Sequence, residues 1–157
     1  MSDVGVIARG RGRRAQRGQS LAELALILPV LLILLFGVVE FGMVLKSYIQ
    51  VTNATREGAR YAALGATAGS FPANCQASGD TTAVGRTCGS LGGLKLANVS
   101  SVTVTYPNGK VSGNKVVVTV NYVYKFFTPV GGLISMFSGG GSSNRITLSS
   151  STTMRLE

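Results

Sequence analysis

The chain has 157 residues, enough for one domain or for one membrane span with one small domain. Its net charge of +9 at pH 7 would suit a nucleic-acid-binding protein, but five of its fifteen basic residues stand in the first seventeen positions, ahead of an apolar run. It contains no His and two Cys, so the commonest general base and the commonest metal ligand are missing. The composition therefore argues against a nucleic-acid partner and predicts no catalytic residue, no metal and no cofactor.

The N-terminal region predicts a leader followed by a membrane span. Residues 1–18 are polar and rich in Arg and Gly, which indicates a disordered cytoplasmic leader held back by the positive-inside rule. Residues 24–39 then form a run of sixteen without a charge. Extension of this run to 19–45 supplies the roughly 20 residues that a bilayer requires, although it includes Glu23 and Glu40. A removable signal peptide is disfavoured, because no small-residue cleavage site follows the run.

The helical pattern continues beyond the span. Residues 46–66 predict an amphipathic extension outside the membrane, and Gly65 and Gly69 supply the stop signals. We expect one helix from about Ser20 to Leu64. Its polar stripe recurs at spacings of four and three and comprises Lys46, Gln50, Asn53, Glu57 and Arg60. Its opposite side, predicted to be buried, comprises Leu45, Tyr48, Thr52, Ala59 and Ala63.

A loop comes next in the predicted order. Residues 67–98 are rich in Gly, Ser, Thr and Ala, and they contain Cys75 and Cys88. Both cysteines lie beyond the span, on the side of the membrane where oxidation is permitted. We therefore expect a disulfide between them, with two buried free thiols as the alternative.

Residues 99–157 predict an antiparallel β domain of three strands. The glycines of PNG and SGN, within 107–114, mark the turn between the first two strands. The segment 126–143 is either a loop that packs Leu133, Ile134 and Phe137 over the sheet edge, or an exposed apolar patch for a partner or the membrane surface. Because such a sheet has one apolar face to bury, we predict an α+β fold in which the second half of the long N-terminal helix packs on the sheet.

The start of the span resembles a known processing site. The stretch RGQSLAE at 17–23 is similar to the prepilin cleavage site of type IV pilin-like proteins, in which a membrane peptidase cuts after Gly and a Glu lies five residues beyond. More narrowly, the chain resembles the TadE-like minor pilins or pseudopilins of tight adherence (Flp) pili. Leu24 is a departure, because such pilins often carry an aromatic residue there. The features that carry the resemblance are Glu23 ahead of LALILPVLLILLFG, EFG at 40–42, NATREGAR at 53–60 and the closing TMRLE at 153–157.

The resemblance implies cleavage between Gly18 and Gln19, which makes Glu23 the fifth residue of the mature chain. Cleavage creates an α-amino group on Gln19. Glu23 of one subunit would then pair with the Gln19 amine of a neighbour and set the register of assembly, since an unpaired buried charge is costly. The alternative is that Glu23 is only a helix-start acid favoured by the macrodipole.

Four further charged residues of the motif have expected structural or assembly roles. Glu40 lies near the outer interface, where its carboxylate can reach water. Glu57 and Arg60 are surface neighbours three residues apart. Arg56 is expected to cap carbonyl groups beneath the helix.

The implied function is that of a minor pilin or pseudopilin, the substrate of a prepilin peptidase, which helps to assemble pili for surface attachment. The expected location is the cytoplasmic (inner) membrane, with the N-terminus in the cytoplasm and the C-terminal domain outside it, or the pilus itself. Expected partners are the membrane, the peptidase, other pilins and the pilus assembly platform. The alternatives are a pseudopilin-like part of a secretion system and a plain single-pass anchor that presents a binding domain.

Overall fold

The computed structural model describes residues 12–76, 81–128, 132 and 144–157. The chain divides into two compact units, Met1–Val39 and Glu40–Glu157, with the boundary inside the first helix. The architecture is α+β, as the sequence predicts. The elements are α1 (Gly12–Ala63), α2 (Ala73–Gln76), α3 (Ala83–Gly89), a 3-10 turn (Leu96–Asn98), β1 (Val99–Thr105), β2 (Lys115–Lys125) and β3 (Arg145–Arg155).

Helix α1 is long and apolar enough in its first half to cross a membrane. From Gln19 to Val39 its side chains are exposed on every face, apart from the half-buried Gly37. The helix begins at Gly12, earlier than the predicted start near Ser20. The added residues include Arg, Ala and Gln, which are all good helix formers. Residues 1–11 of the predicted leader lie outside the described residues.

The sheet has the strand order β1-β2-β3, and both pairings are antiparallel. Strand β2 is central, and alternate residues from Val116 to Tyr124 are buried on one face. Gly109 and Gly113 adopt φ values of 81° and 85° in the connection before β2, which only glycine adopts without strain. The sequence prediction of three strands and of these turn residues is confirmed. Leu133, Ile134 and Phe137, predicted either to cover the sheet edge or to form a patch, lie outside the described residues.

The second half of α1 packs on this sheet with a face that differs from the predicted one. Small residues dominate its buried stripe, so the helix approaches the strands closely. The predicted buried positions Ala59 and Ala63 are indeed buried, but Leu45 and Tyr48 are 46% and 45% exposed. The buried residues are Glu40, Ser47, Val51, Ala54, Thr55, Gly58, Ala59, Ala62 and Ala63.

The segment 67–98 is more ordered than the predicted loop. Thr82 caps α3 by accepting a hydrogen bond from the Gly85 N–H at 3.0 Å, and most of that helix is buried. Gly58 of α1 lies against α3 so closely that a Cβ atom there would overlap the hydroxyl of Thr87. A helix of only seven residues, AVGRTCG, carries little periodic signal, which explains why the sequence pattern indicates a loop.

Candidate assembly site

The predicted cleavage and assembly residues lie at the start of the apolar part of α1. Gly18 is within the helix, and both Gln19 and Glu23 are exposed. One turn of helix separates these two side chains, and the Gln19 amide donates a hydrogen bond to Glu23 Oε1 at 3.4 Å. No ion pair to Glu23 occurs among the described side chains. The structure therefore presents the Glu23 carboxylate outward, beside a weak neutral donor.

Glu40 is the first residue of the second unit, and only 3% of it is exposed. Its Oε1 accepts hydrogen bonds from the Tyr124 hydroxyl at 2.8 Å and from the Phe127 N–H at 3.2 Å. Its Oε2 accepts one from the Thr128 N–H at 3.0 Å. The expectation that this carboxylate reaches water is therefore wrong. Glu40 instead fastens the end of β2 and the residues that follow it onto α1.

The protonation state of Tyr124 suits its role as a hydrogen-bond donor to Glu40. Burial raises the pKa of Tyr124 to about 12, and the hydrogen bond to the Glu40 carboxylate raises it in the same direction. The hydroxyl therefore stays protonated and remains a donor well above neutral pH. Tyr124 is not among the site residues that the sequence predicts. A tyrosine at the end of a buried face does need a partner for its hydroxyl, and Glu40 is a buried acid able to provide one.

Glu57 and Arg60 form the surface pair that their spacing predicts. Arg60 Nη2 and Nε lie 3.0 and 3.1 Å from the two carboxylate oxygens. Arg86 of α3, which the sequence analysis missed, places its Nη2 3.6 Å from Glu57 Oε1 and its guanidinium 4.9 Å from the centre of the Tyr61 ring. The hydrogen bond from Arg60, helped by the charges of both arginines, lowers the pKa of Glu57. Such exposed pairs contribute little stability, but they order the outer side of α1.

Arg56 does not take the predicted capping position. It is exposed, and the structure shows no hydrogen bond or ion pair between its side chain and the residues described. The helix turns its small-residue stripe toward the sheet, so Arg56 points away from the carbonyl groups that it was expected to cap.

Cys75 and Cys88 are joined in a disulfide, and both are buried. The bond connects α2 with α3, so it holds together the segment that packs against α1. Across the residues that the structure describes, no group of three or more His, Cys, Asp or Glu side chains could hold a metal ion.

The family comparison matches the part of α1 that contains these charged residues. The family model described as TadE-like protein matches residues 18–60. The chain carries a TadE-like segment. The TadE-like segment begins at Gly18, includes Glu23 and Glu40, and ends at Arg60. No curated protein and no solved structure matches the chain significantly.

Proposed function

We propose that the chain is a minor pilin or pseudopilin, processed by a prepilin peptidase, that helps to assemble tight adherence pili. The observation that carries this proposal is the position of the TadE-like segment on α1. The match begins at Gly18, the residue before the proposed cut, and the helix that follows exposes apolar side chains on every face from Gln19 to Val39. Lipid, and then neighbouring subunits, would cover those faces.

The proposed membrane span is 19–39, which is shorter than the 19–45 indicated by hydropathy. Its 21 residues extend about 32 Å along a helix, close to the thickness of a bilayer core. Burial within the protein begins at Glu40, where the second unit starts. The Arg-rich flank before Gly18 supports a cytoplasmic N-terminus, and residues 40–157 would then lie on the outer side of the membrane.

Glu23 is the proposed register device of assembly. In lipid, its carboxylate has a neutral amide for a neighbour, and that contact cannot compensate a charge. Cleavage after Gly18 would create an ammonium group on Gln19 at the same membrane level. A neighbouring subunit could bring that ammonium to Glu23 only at the correct axial offset, and wrong offsets would leave both charges unpaired.

The second unit also presents a surface suited to packing between subunits. Phe41, Leu45, Tyr48 and Ile49 recur at helical spacing, and each is between 45% and 69% exposed. Large exposed side chains on one helical face, opposite a face already packed on the sheet, favour contact with further helices.

The first test is the N-terminal residue of the protein purified from the membranes of its own host. We expect intact mass and N-terminal sequencing to show a chain that begins at Gln19. A bulky residue at Gly18 should block processing, because the scissile bond must fit the peptidase. An unprocessed Met1 chain in the wild type would refute the pilin interpretation.

The second test separates membrane insertion from assembly. We expect Glu23→Ala to insert and to be cleaved normally, because the change makes the span more apolar and leaves Gly18 intact. It should nevertheless fail to co-purify with pilus partners, and Glu23→Gln should be nearly as defective, since it removes the charge alone. Glu157→Gln, which removes an exposed acid far from the span, is the matched control. Normal recovery and piliation of both Glu23 variants would show that Glu23 is only a helix-start acid.

A further inference from the structure

A groove of about 570 Å³ opens on the second unit between α1, the residues after α3 and the end of β2. Three lysines line it, one from each of these parts of the chain: Lys46, Lys95 and Lys125. All three are exposed. We propose that this groove binds the anionic headgroup of a phospholipid in the outer leaflet of the membrane that α1 crosses.

The groove has the charge of an anion site. None of its three lysines takes part in an ion pair with the side chains that the structure describes. The nearby carboxylate of Glu40 accepts three hydrogen bonds from the end of β2 and the residues after it, and its single negative charge is outnumbered by the three lysines. Three ammonium groups around one concave surface repel one another, and a phosphate bound among them would relieve that repulsion.

The position of the groove favours a headgroup. The N–H of Phe127 bonds to Glu40, the residue with which the second unit begins, and Lys125 stands two positions before it. This end of the unit therefore lies where the apolar run of α1 stops. Lys46 is about 9 Å further along α1 than Glu40. Helical side chains tilt toward the N-terminus, so the ammonium group of Lys46 extends back toward the level of Glu40.

Exposed aromatic side chains at this level favour lipid over an acidic protein. Phe127 and Phe41 are 85% and 69% exposed, and Phe127 also lines the groove. Exposed rings beside long, flexible lysines suit the boundary between acyl chains and headgroups. There the apolar part of each side chain is covered and its charged group stays hydrated. Residues 40–157 as a whole contain ten basic and four acidic side chains, so the charge is available for an anionic surface.

This inference rests on the membrane anchoring in the proposed function, but not on cleavage or pilus assembly. The test uses the purified full-length chain in detergent, without other pilus proteins. Equal amounts of phosphatidylglycerol and phosphatidylcholine are added, and native mass spectrometry counts the lipids retained. We expect retention of phosphatidylglycerol over phosphatidylcholine. In Lys46→Gln/Lys125→Gln the affinity for phosphatidylglycerol should fall about 25-fold, because each of the two charges contributes about fivefold near an anionic surface.

The control Lys115→Gln/Arg155→Gln removes the same charge from the opposite end of the sheet, where these two residues face each other across β2 and β3. It should retain phosphatidylglycerol like the wild type, and near-ultraviolet circular dichroism checks that both variants are folded. Equal retention of the two lipids by the wild type, or equal loss in the control, would overturn the proposal. So would normal retention of phosphatidylglycerol in the lysine variant, because the groove would then not hold the headgroup.

Discussion

Replacement of Glu40 by Ala removes the acceptor of three hydrogen bonds at the start of the second unit. The donors left behind are the Tyr124 hydroxyl and the N–H groups of Phe127 and Thr128. Tyr124 and Thr128 are buried, so water cannot readily replace the carboxylate. The variant should therefore loosen the junction between α1 and the end of β2 while leaving the rest of the sheet intact.

The magnitude follows from two opposing contributions. A hydrogen bond to a charged group contributes about 1.5–3 kcal/mol, so the gross loss for three is roughly 5–9 kcal/mol. Alanine also removes a buried charge, whose desolvation costs several kcal/mol, and this relief offsets part of the loss. We expect a net decrease of about 3–5 kcal/mol in the free energy of unfolding. A unit of 118 residues has roughly 6–15 kcal/mol in total, so the variant should be folded but clearly weakened.

Two milder substitutions test the same hydrogen bonds and should cost less stability. Glu40→Gln keeps one oxygen for Tyr124 and Phe127, but its NH₂ group then faces the Thr128 N–H, and a clash of two donors costs about 2–3 kcal/mol. Tyr124→Phe removes a single donor and leaves both main-chain donors paired, at about 1.5 kcal/mol. The predicted order of destabilisation is therefore Glu40→Ala, then Glu40→Gln, then Tyr124→Phe.

The assay is denaturant unfolding of the full-length chain in detergent, followed by near-ultraviolet circular dichroism of tyrosine. All five tyrosines lie at position 48 or later, and the chain has no tryptophan, so the signal comes from the second unit and not from the span. A loss below about 1 kcal/mol for Glu40→Ala, or one equal to that of Tyr124→Phe, would refute the account of Glu40 as a three-donor anchor.

Three further predictions concern the same unit. Gly58→Ala should lower the free energy of unfolding by about 1–3 kcal/mol, although Ala favours a helix more than Gly does, because the new methyl group overlaps Thr87. In a double-mutant cycle, Thr87→Ala should recover part of that loss, and additive losses would contradict the contact. Cys75 and Cys88 should be unreactive to thiol reagents after denaturation without reductant, and reduction should cost about 3 kcal/mol in the chain-entropy model; two reactive thiols would disprove the bond in the cell. Because the pKa of Tyr124 is raised from 10.0 to about 12, the folded unit keeps a proton that the unfolded chain releases, so stability should fall between pH 10 and 12 by up to about 2.7 kcal/mol. Tyr124→Phe should lack this fall, and an identical pH profile in both proteins would rule it out.

Strand β2 shows how much of the fold the sequence could predict. Its apolar residues alternate from Val116 to Tyr124, which matches the pleat of a sheet with one buried face, and these alternate residues are the buried ones. The glycines of the preceding turn adopt the positive φ that their positions demand. Such features depend on local geometry alone, so a single sequence reveals them.

The buried face of α1 was harder to predict, because large and small residues compete for it. Hydropathy favours Leu45 and Tyr48 as core residues, yet both are exposed, and a stripe of smaller side chains faces the sheet. Thr55 occupies that stripe and shares hydroxyl contacts with Ser150 at 3.3 Å and Thr152 at 3.1 Å. Polar pairing across a close helix–sheet contact is a tertiary property, which the pattern of either segment alone does not reveal. In the proposed function, these exposed large residues would contact neighbouring subunits.

The three glutamates of the TadE-like segment differ in how their charge is compensated. Glu57 has two arginines beside it, and Glu40 has three hydrogen-bond donors from its own chain. Glu23 has the Gln19 amide at 3.4 Å and no ion pair among the described side chains, although the proposed span 19–39 includes it, and an uncompensated charge is unfavourable there. In the assembly proposed above, the charge of Glu23 would instead be compensated by a neighbouring subunit. Cleavage after Gly18 would create a cationic α-amino group on Gln19 of a neighbouring subunit, at a similar depth in the membrane to Glu23. Processing would therefore supply the charge that assembly needs.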